Sequence, residues 1–408
     1  MSKEAHVVAG VDTHADTNYA AVVTVTGQHL AAAQFPATRV GYEALARFIT
    51  CHGPLVRVGV EGTNSYGAAL TRHLVAAGVC VVEVIRPKRQ VRRMRGKSDE
   101  IDAYAAAHTA LAGTDTVTPK ASIGRVEALR VTAAARRLAV KARSEAIQQI
   151  KSLLVTAPEQ IRADYRGLGT TRLVARLAGL RDRAGDDVVA AATRTALKRI
   201  ATRYQQLDAE IESHNTDLVR LVNEVNPAIL QVNGIGVVTA AQLLATAGDN
   251  PQRITGEAAF ALICGAAPIP ASSGKTTRYR LNRGGDRDAN CALHHIAVVR
   301  LGKDPATRAY AARRTAEGKT KKEILRCLKR AIAREVFHLI VNPQPIEPTA
   351  DLRPLRQRLG LTLTDVAIAL GSGINTISAL ERGTVRNRDF LHRYRHWLTH
   401  QQSSKTAA

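Results

Sequence analysis

Four acidic residues, Asp12, Glu61, Asp99 and Asp102, stand where a carboxylate is costly unless something charged binds it. Asp12 follows Val7-Val8-Ala9-Gly10-Val11 and Glu61 follows Val58-Gly59-Val60, so each ends a run that reads as a buried strand. Asp99 and Asp102 follow Ser98, a capping residue type, and lie i, i+3 on one face of a helix start. Hard divalent cations take oxygen ligands, and two held about 3.5–4 Å apart activate a nucleophile and stabilise a leaving oxygen at a phosphodiester. Taken singly, Asp99 is an ordinary helix-start acid favoured by the dipole, and Asp12 a turn residue. Taken together, two strand ends and an acidic helix face make one metal site. Asp16 and Glu100 read as solvated.

The elements that must position these acids follow from the apolar pattern. His6–Val11 and Tyr19–Val25 read as a β-hairpin, Gly41–His52 as a helix, and Val56–Val60 as a strand. Tyr66–Ala77 reads as a helix stopped by Gly78, Val79–Ile85 as a buried strand, and Asp99–Leu111 as a helix. This order predicts an α/β layer with a mixed sheet over residues 1–118.

Charge divides the 408-residue chain. Its formal net charge is +23, which points to a polyanionic partner. Residues 1–85 hold five Lys/Arg against six Asp/Glu, a net of −1. Arg86, Lys88, Arg89, Arg92, Arg93, Arg95 and Lys97 then follow without an acid, and residues 313–334 hold nine basic and two acidic residues. These are footprints of phosphate-backbone binding. Aromatics are only 4%, which argues against stacked-base platforms. The five cysteines have neither zinc nor disulfide spacing. No signal peptide or transmembrane run is visible, so a cytoplasmic protein without a membrane partner is expected.

Residues 119–226 are helical in pattern. Leu197, Ile200, Tyr204, Leu207, Ile211, Leu218 and Leu221 recur at spacings of three, four and seven, which suggests a coiled-coil arm that dimerises or spaces domains; a compact bundle fits as well. A helical domain follows over 227–341, with a Gly234-Ile235-Gly236 turn that reads either as a phosphate-binding hairpin or as a plain helix turn. Pro343, Pro345 and Pro348 mark a linker over 342–351. His392, His396 and His400 share helical spacing without a carboxylate and read as an exposed face; His294-His295 read as packed.

Residues 352–400 look like the helix-turn-helix of phage-repressor-type regulators, on Leu355–Leu363, Val366–Gly371 and Ile374–Gly383. In that fold the second helix enters the major groove, which here implies that Asn375, Thr376, Ser378 and Arg382 face DNA.

The N-terminal order resembles the RNase H-like fold in its junction-resolvase (RuvC-like) form. More narrowly, Gly10-Val11-Asp12-Thr13-His14, Val60-Glu61-Gly62-Thr63 and Lys97-Ser98-Asp99-Glu100-Ile101-Asp102-Ala103 resemble the motifs of the DEDD transposases. These are the bridge-RNA-guided recombinases of the insertion-sequence one-ten family, and the resemblance covers about residues 5–340. It implies that Asp12, Glu61, Asp99 and Asp102 are catalytic metal ligands for Mg²⁺. The family's second part has a Gly-x-x-Pro, a Ser-Gly and a basic stretch ending in Gly. Gly265-Ala266-Ala267-Pro268, Ser272-Ser273-Gly274 and Arg280–Gly285 stand in that order.

The resemblance implies that Ser273 is a catalytic nucleophile and that Arg278, Arg280 and Arg283 steady phosphates. The residues alone do not separate Ser273 from Ser272, and they also allow a plain flexible loop. The resemblance further implies double-stranded DNA partners at the element ends and the target, a bridge RNA, and a homodimer that assembles to a tetramer. The expected function is therefore a transposase that excises and inserts its own element by strand cleavage and rejoining. A hydrolytic junction resolvase on the same fold, using water rather than Ser273, and a non-catalytic DNA-binding regulator are the alternatives. The helix-turn-helix is an addition to the family pattern.

Overall fold

The computed structural model describes residues 6–84, 98–114, 116–181, 185, 187–275, 279–343, 345–383 and 387–406. The basic run 86–97 and Arg278 lie outside the described residues. The chain forms two compact units, Met1–Gly124 with Gly248–Thr255, and Arg125–Ala247 with Gly256–Ala408.

The first unit contains β1 (Val7–Thr13), β2 (Thr17–Thr24), β3 (His29–Pro36), α1 (Arg39–Thr50), β4 (Leu55–Glu61), α2 (Ala68–Ala76), β5 (Val81–Val84), α3 (Asp99–Ala112) and β6 (Thr116–Val117). The strands form one mixed sheet in the order β3-β2-β1-β4-β5-β6. β1 is parallel to β4 and β4 to β5, while the remaining pairs are antiparallel. The mixed α/β layer expected from the sequence is present. Two strands were not legible there. β3 is His-Leu-Ala-Ala-Ala-Gln-Phe-Pro, whose alanines have little β preference; its pairing with β2 makes it a strand. β6 has only two residues.

Every residue of β1 is buried, so the strand is covered on both faces. On one face Val7, Ala9 and Val11 join Leu45, Ile49, Leu70 and Leu74 of α1 and α2. On the other, Val8 packs with Ala106, Ala107 and Ala110 of α3. Helix α3 starts where Ser98 accepts a hydrogen bond from the Ile101 backbone N–H (3.2 Å), and it stops at the left-handed Gly113. Its alanine face is flat enough to lie directly on the sheet.

The second unit is almost wholly helical. α4 (Gly124–Thr156), α5 (Glu159–Tyr165), α6 (Thr170–Ala178) and α7 (Val188–Val225) come first. α7 has 38 residues, hence a length of about 57 Å at 1.5 Å per residue. Arg125 pairs with Glu224, Arg136 with Asn215 and Arg143 with Asp208, so α4 and α7 run antiparallel within one chain. Ile150 of α4, Tyr165 of α5, Leu173 and Leu177 of α6, and Leu197 and Ala201 of α7 form one core. The apolar stripe read from the sequence is thus used, at least at this end, inside the chain.

α8 (Val237–Ala247), α9 (Glu257–Ile263), the two-residue strands β7 (Ile269–Pro270) and β8 (Tyr279–Arg280), α10 (Arg287–Lys303), α11 (Pro305–Ala316) and α12 (Lys321–Val341) follow. Before α8, the Gly236 N–H donates to Thr239 Oγ1 (3.1 Å), so one backbone donor of the Gly234–Gly236 turn is already satisfied. The chain ends with α13 (Leu352–Arg358), α14 (Leu363–Leu370), α15 (Ile374–Glu381) and α16 (Arg388–Thr406). α14 closes on the left-handed Gly371, and α15 leaves at 110° to it. Among the described residues no single helix is long and apolar enough to cross a membrane.

Candidate metal centre and serine hairpin

The metal-centre residues are brought together by register. β1 and β4 are parallel neighbours with Val11 opposite Val60, so Asp12 and Glu61 come next on adjacent strands at the same end of the sheet. Two residues earlier lie Gly10 and Gly59. A β-carbon on Gly10 would lie 2.0 Å from the Ala107 nitrogen, and one on Gly59 2.8 Å from the Ala106 carbonyl oxygen. Both positions therefore face α3, and strand alternation puts Asp12 and Glu61 on that face too. The glycines let α3 press onto the sheet, and its first turn brings Asp99 and Asp102 to the strand ends.

Asp12 and Asp102 are only 3% and 5% exposed, while Glu61 and Asp99 are half-buried. Burial pushes the Asp12 carboxyl above the usual carboxylate range. His14 pulls it down, and Glu61, Asp102 and Asp99 each raise it, so all three other acids act on Asp12. Asp16 and Glu100 are exposed, as expected. Thr13 Oγ1 donates to the Glu61 carbonyl (2.8 Å) and ties the two strand ends together. A cleft of ≈ 490 Å³ opens here, lined by Asp12, Glu61 and Glu83 among others.

His14 was not singled out from the sequence. Its Nε2 lies 3.2 Å from Asp12 Oδ2 and 3.3 Å from Asp99 Oδ1. That nitrogen is buried, yet it makes no hydrogen bond of proper geometry to either. The donor atoms of Asp12, His14 and Asp99 all lie within 4.8 Å of one another. A crowd of carboxylates around an undirected imidazole nitrogen fits a divalent cation, which would supply the positive charge these groups lack. The signal in the sequence is the Asp-x-His spacing where β1 ends, which leaves His14 just beyond the strand and beside Asp12.

The predicted serine lies in the other unit. β7 and β8 pair antiparallel, Ile269 opposite Arg280 and Pro270 opposite Tyr279. Ser272 and Ser273 are exposed in the loop that joins them, and Arg280 and Arg283 are exposed at its base and beyond. The flanking motif residues have structural work. Gly285 has φ +80°, and a β-carbon there would meet the Ile263 carbonyl oxygen at 2.5 Å. A β-carbon on Gly265 would lie 2.8 Å from the Gly284 oxygen. Asn290 Nδ2 donates to the carbonyls of Cys264 (3.0 Å) and Gly265 (2.9 Å). The motif glycines thus seat the two ends of the serine hairpin against α9 and α10.

Of the DNA-reading candidates, Asn375, Thr376 and Arg382 are exposed and Ser378 is half-buried, while Ile377 and Leu380 of the same helix are buried. Arg382 Nε donates to the Ser378 carbonyl (3.2 Å). Beneath them Arg356 grips Glu381 with two hydrogen bonds (2.6 and 3.1 Å), and Tyr394 donates to the same carboxylate (2.7 Å).

Residues 9–157, which hold all four acids, match the model of a transposase family of the DEDD type from IS110 elements. Residues 226–312, which hold Ser273, match the transposase IS116/IS110/IS902 family. The chain belongs to the IS110 family of transposases. Over 155 residues this transposase is 30% identical to an uncharacterized 43.6 kDa protein of insertion element IS110 from Streptomyces coelicolor, covering 38% of the chain and 37% of that relative. Over 372 residues it is 24% identical to an uncharacterized 42 kDa protein of insertion element IS900 from Mycobacterium paratuberculosis, covering 93% of that relative. The chain thus spans just over a third of the first relative and nearly all of the second.

Proposed function

We propose that this transposase excises and inserts its element by cutting and rejoining DNA through a covalent Ser273–DNA intermediate, with Asp12, Glu61, Asp99 and Asp102 holding Mg²⁺. The observation that carries the reading is the convergence of those four acids, one strand end beside another under the first turn of α3. The strand order β3-β2-β1-β4-β5 supports the RNase H-like, RuvC-like assignment of this layer.

Bound Mg²⁺ supplies Lewis acidity, neutralising charge that builds on phosphodiester oxygens. The four carboxylates and His14 hold that charge in place. The Ser273 oxygen attacks phosphorus; one Ser–O–P ester bond forms and one P–O bond of the strand breaks. The serine proton leaves, and the released DNA oxygen gains one. The number of phosphoester bonds is conserved, so the reverse attack by a DNA hydroxyl rejoins strands without ATP. Arg278, Arg280 and Arg283 bind strand phosphates.

The family resemblance supports a bridge RNA that pairs with donor and target, with the basic run 86–97 and the 313–334 segment holding RNA and DNA backbones, in a homodimer that assembles to a tetramer. The 110° pair α14 and α15 supports a helix-turn-helix presenting Asn375, Thr376, Ser378 and Arg382 to duplex DNA. An excision assay in cells carrying the intact element tests the reading. Asp12→Asn and Ser273→Ala should each abolish excision, and Ser272→Ala should retain it. Full excision by Ser273→Ala would favour water as the nucleophile and overturn the proposal.

A further inference from the structure

Beside the serine hairpin lies a cavity of ≈ 650 Å³. Its walls are the turn Gly265–Pro268, Tyr279 and Arg280 of β8, and one face of α12. That face carries Arg326, Arg330 and Arg334 at i, i+4 and i+8, with Lys329 beside them and Lys319 at the rim. Like charges four apart on a helix repel, so a row of three arginines is poor design for a helix face alone.

Two acids reach the wall, and both are engaged. Glu323 closes a capping box with Thr320, and Glu257 meets His338 (3.2 Å) and Arg330 (4.0 Å). Among the described residues no carboxylate lies within ion-pair distance of Arg280, Lys319, Arg326 or Arg334. The cavity is therefore cationic and open to an anion.

A hydrogen-bond chain joins α12 to the turn that leads into β7. Lys329 Nζ donates to Asn290 Oδ1 (2.9 Å), and Asn290 Nδ2 donates to the carbonyls of Cys264 and Gly265. Burial lowers the affinity of the Lys329 ammonium for its proton, and Arg287 and Arg326 lower it further, so an anion at the wall would relieve it.

We propose that this cavity binds a backbone phosphate of the DNA strand that Ser273 attacks, with Arg326 and Arg334 as phosphate contacts and Lys329 as a positioning residue. The inference rests on the serine reading above. DNA is favoured over RNA because the cavity wall and the serine loop are one hairpin. Ser273 lies three positions after Pro270, the strand partner of the wall residue Tyr279, at most about 10 Å of extended chain, so one strand can reach both.

The test uses the full chain in EDTA, where no cleavage occurs, with a fluorescent DNA duplex and an RNA duplex of the same sequence. The apparent Kd is measured from about 50 to 200 mM salt. Replacing Arg326 and Arg334 together by Gln should lower the slope of log K against log[salt] for DNA by about one, for the single phosphate the cavity holds. Lys329→Met should weaken DNA binding with the slope little changed, as for a residue that positions the wall through Asn290, and Lys329→Arg should restore the affinity. Arg326 and Arg334 are exposed, so the double variant should melt like wild type. An unchanged DNA slope in that variant, or a slope lost for RNA alone, overturns the proposal. Ser273→Ala should leave the slope intact, so failure of the cavity and failure of the serine mechanism are read separately.

Discussion

Gly10 and Ala107 are in backbone contact: a β-carbon on Gly10 would fall 2.0 Å from the Ala107 nitrogen. No side-chain rotation relieves that clash, because the obstacle is main chain. Gly10→Ala should push α3 off the sheet and destabilise the protein by about 1–3 kcal/mol or more, the usual overpacking range. It should also weaken metal binding, since α3 carries Asp99 and Asp102. Gly302→Ala in α10, where a β-carbon meets nothing within 4 Å, is the control and should stabilise by about 0.5–1 kcal/mol. Thermal melts and Mn²⁺ titrations of both variants check this.

Metal should stabilise the fold through Asp12. Its folded-state affinity for a proton is raised, chiefly by burial, so the folded chain holds that proton at pH values where the unfolded chain has lost it. In EDTA, stability contributed by this group should therefore fall as pH rises from the ordinary carboxylate range through the raised folded value. Asp12→Asn should remove that slope. Saturating Mg²⁺ should stabilise wild type, by about 2.7 kcal/mol at one hundred times Kd, and leave Asp12→Asn unmoved. Melting curves across pH, with EDTA or Mg²⁺, read all three outcomes.

His14 should matter to the metal more than to the fold. Its Nε2 sits between two carboxylates without directional hydrogen bonds, so His14→Ala should weaken Mn²⁺ binding by about 10–100-fold while the melting temperature in EDTA barely changes. Equal Mn²⁺ affinity in wild type and variant would remove His14 from the centre.

In the C-terminal helices, Glu381 pairs with Arg356 where the two side chains are 4% and 9% exposed. Glu381→Gln leaves that guanidinium buried without its counter-charge and should cost about 3–5 kcal/mol. Loss of structure confined to residues 352–406, seen by hydrogen exchange, is the expected signature. Unaltered protection there would contradict it.

The sequence carried much of the first unit because β-branched runs and a Ser98 cap are local signals. It did not carry β3, whose alanines become a strand only by pairing with β2, nor the role of Gly10 and Gly59, which depends on where α3 lands. The four acids were legible as strand-end and helix-start residues. His14 was not, since its neighbours Asp12 and Asp99 are two and 85 positions away in the chain. The apolar stripe of α7 suggested a partner helix, and the periodicity was silent on whose. The cross-pairs of Arg125, Arg136 and Arg143 show that α4 of the same chain lies alongside it.

RNA guidance is tested by pretreating the purified protein with ribonuclease before adding DNA and Mg²⁺. Strand cleavage should be lost and should return when the element's non-coding RNA is added back. Cleavage that survives complete RNA removal would exclude a guide.

The most direct measurement of the account is a covalent trap. Protein, Mg²⁺, RNA transcribed from the element and end-labelled element DNA are mixed, and the products are run on a denaturing gel. Wild type and Ser272→Ala should form a labelled protein–DNA adduct, and Ser273→Ala and Asp12→Asn should not. Cleaved DNA with no adduct, or an undiminished adduct from Ser273→Ala, would contradict it.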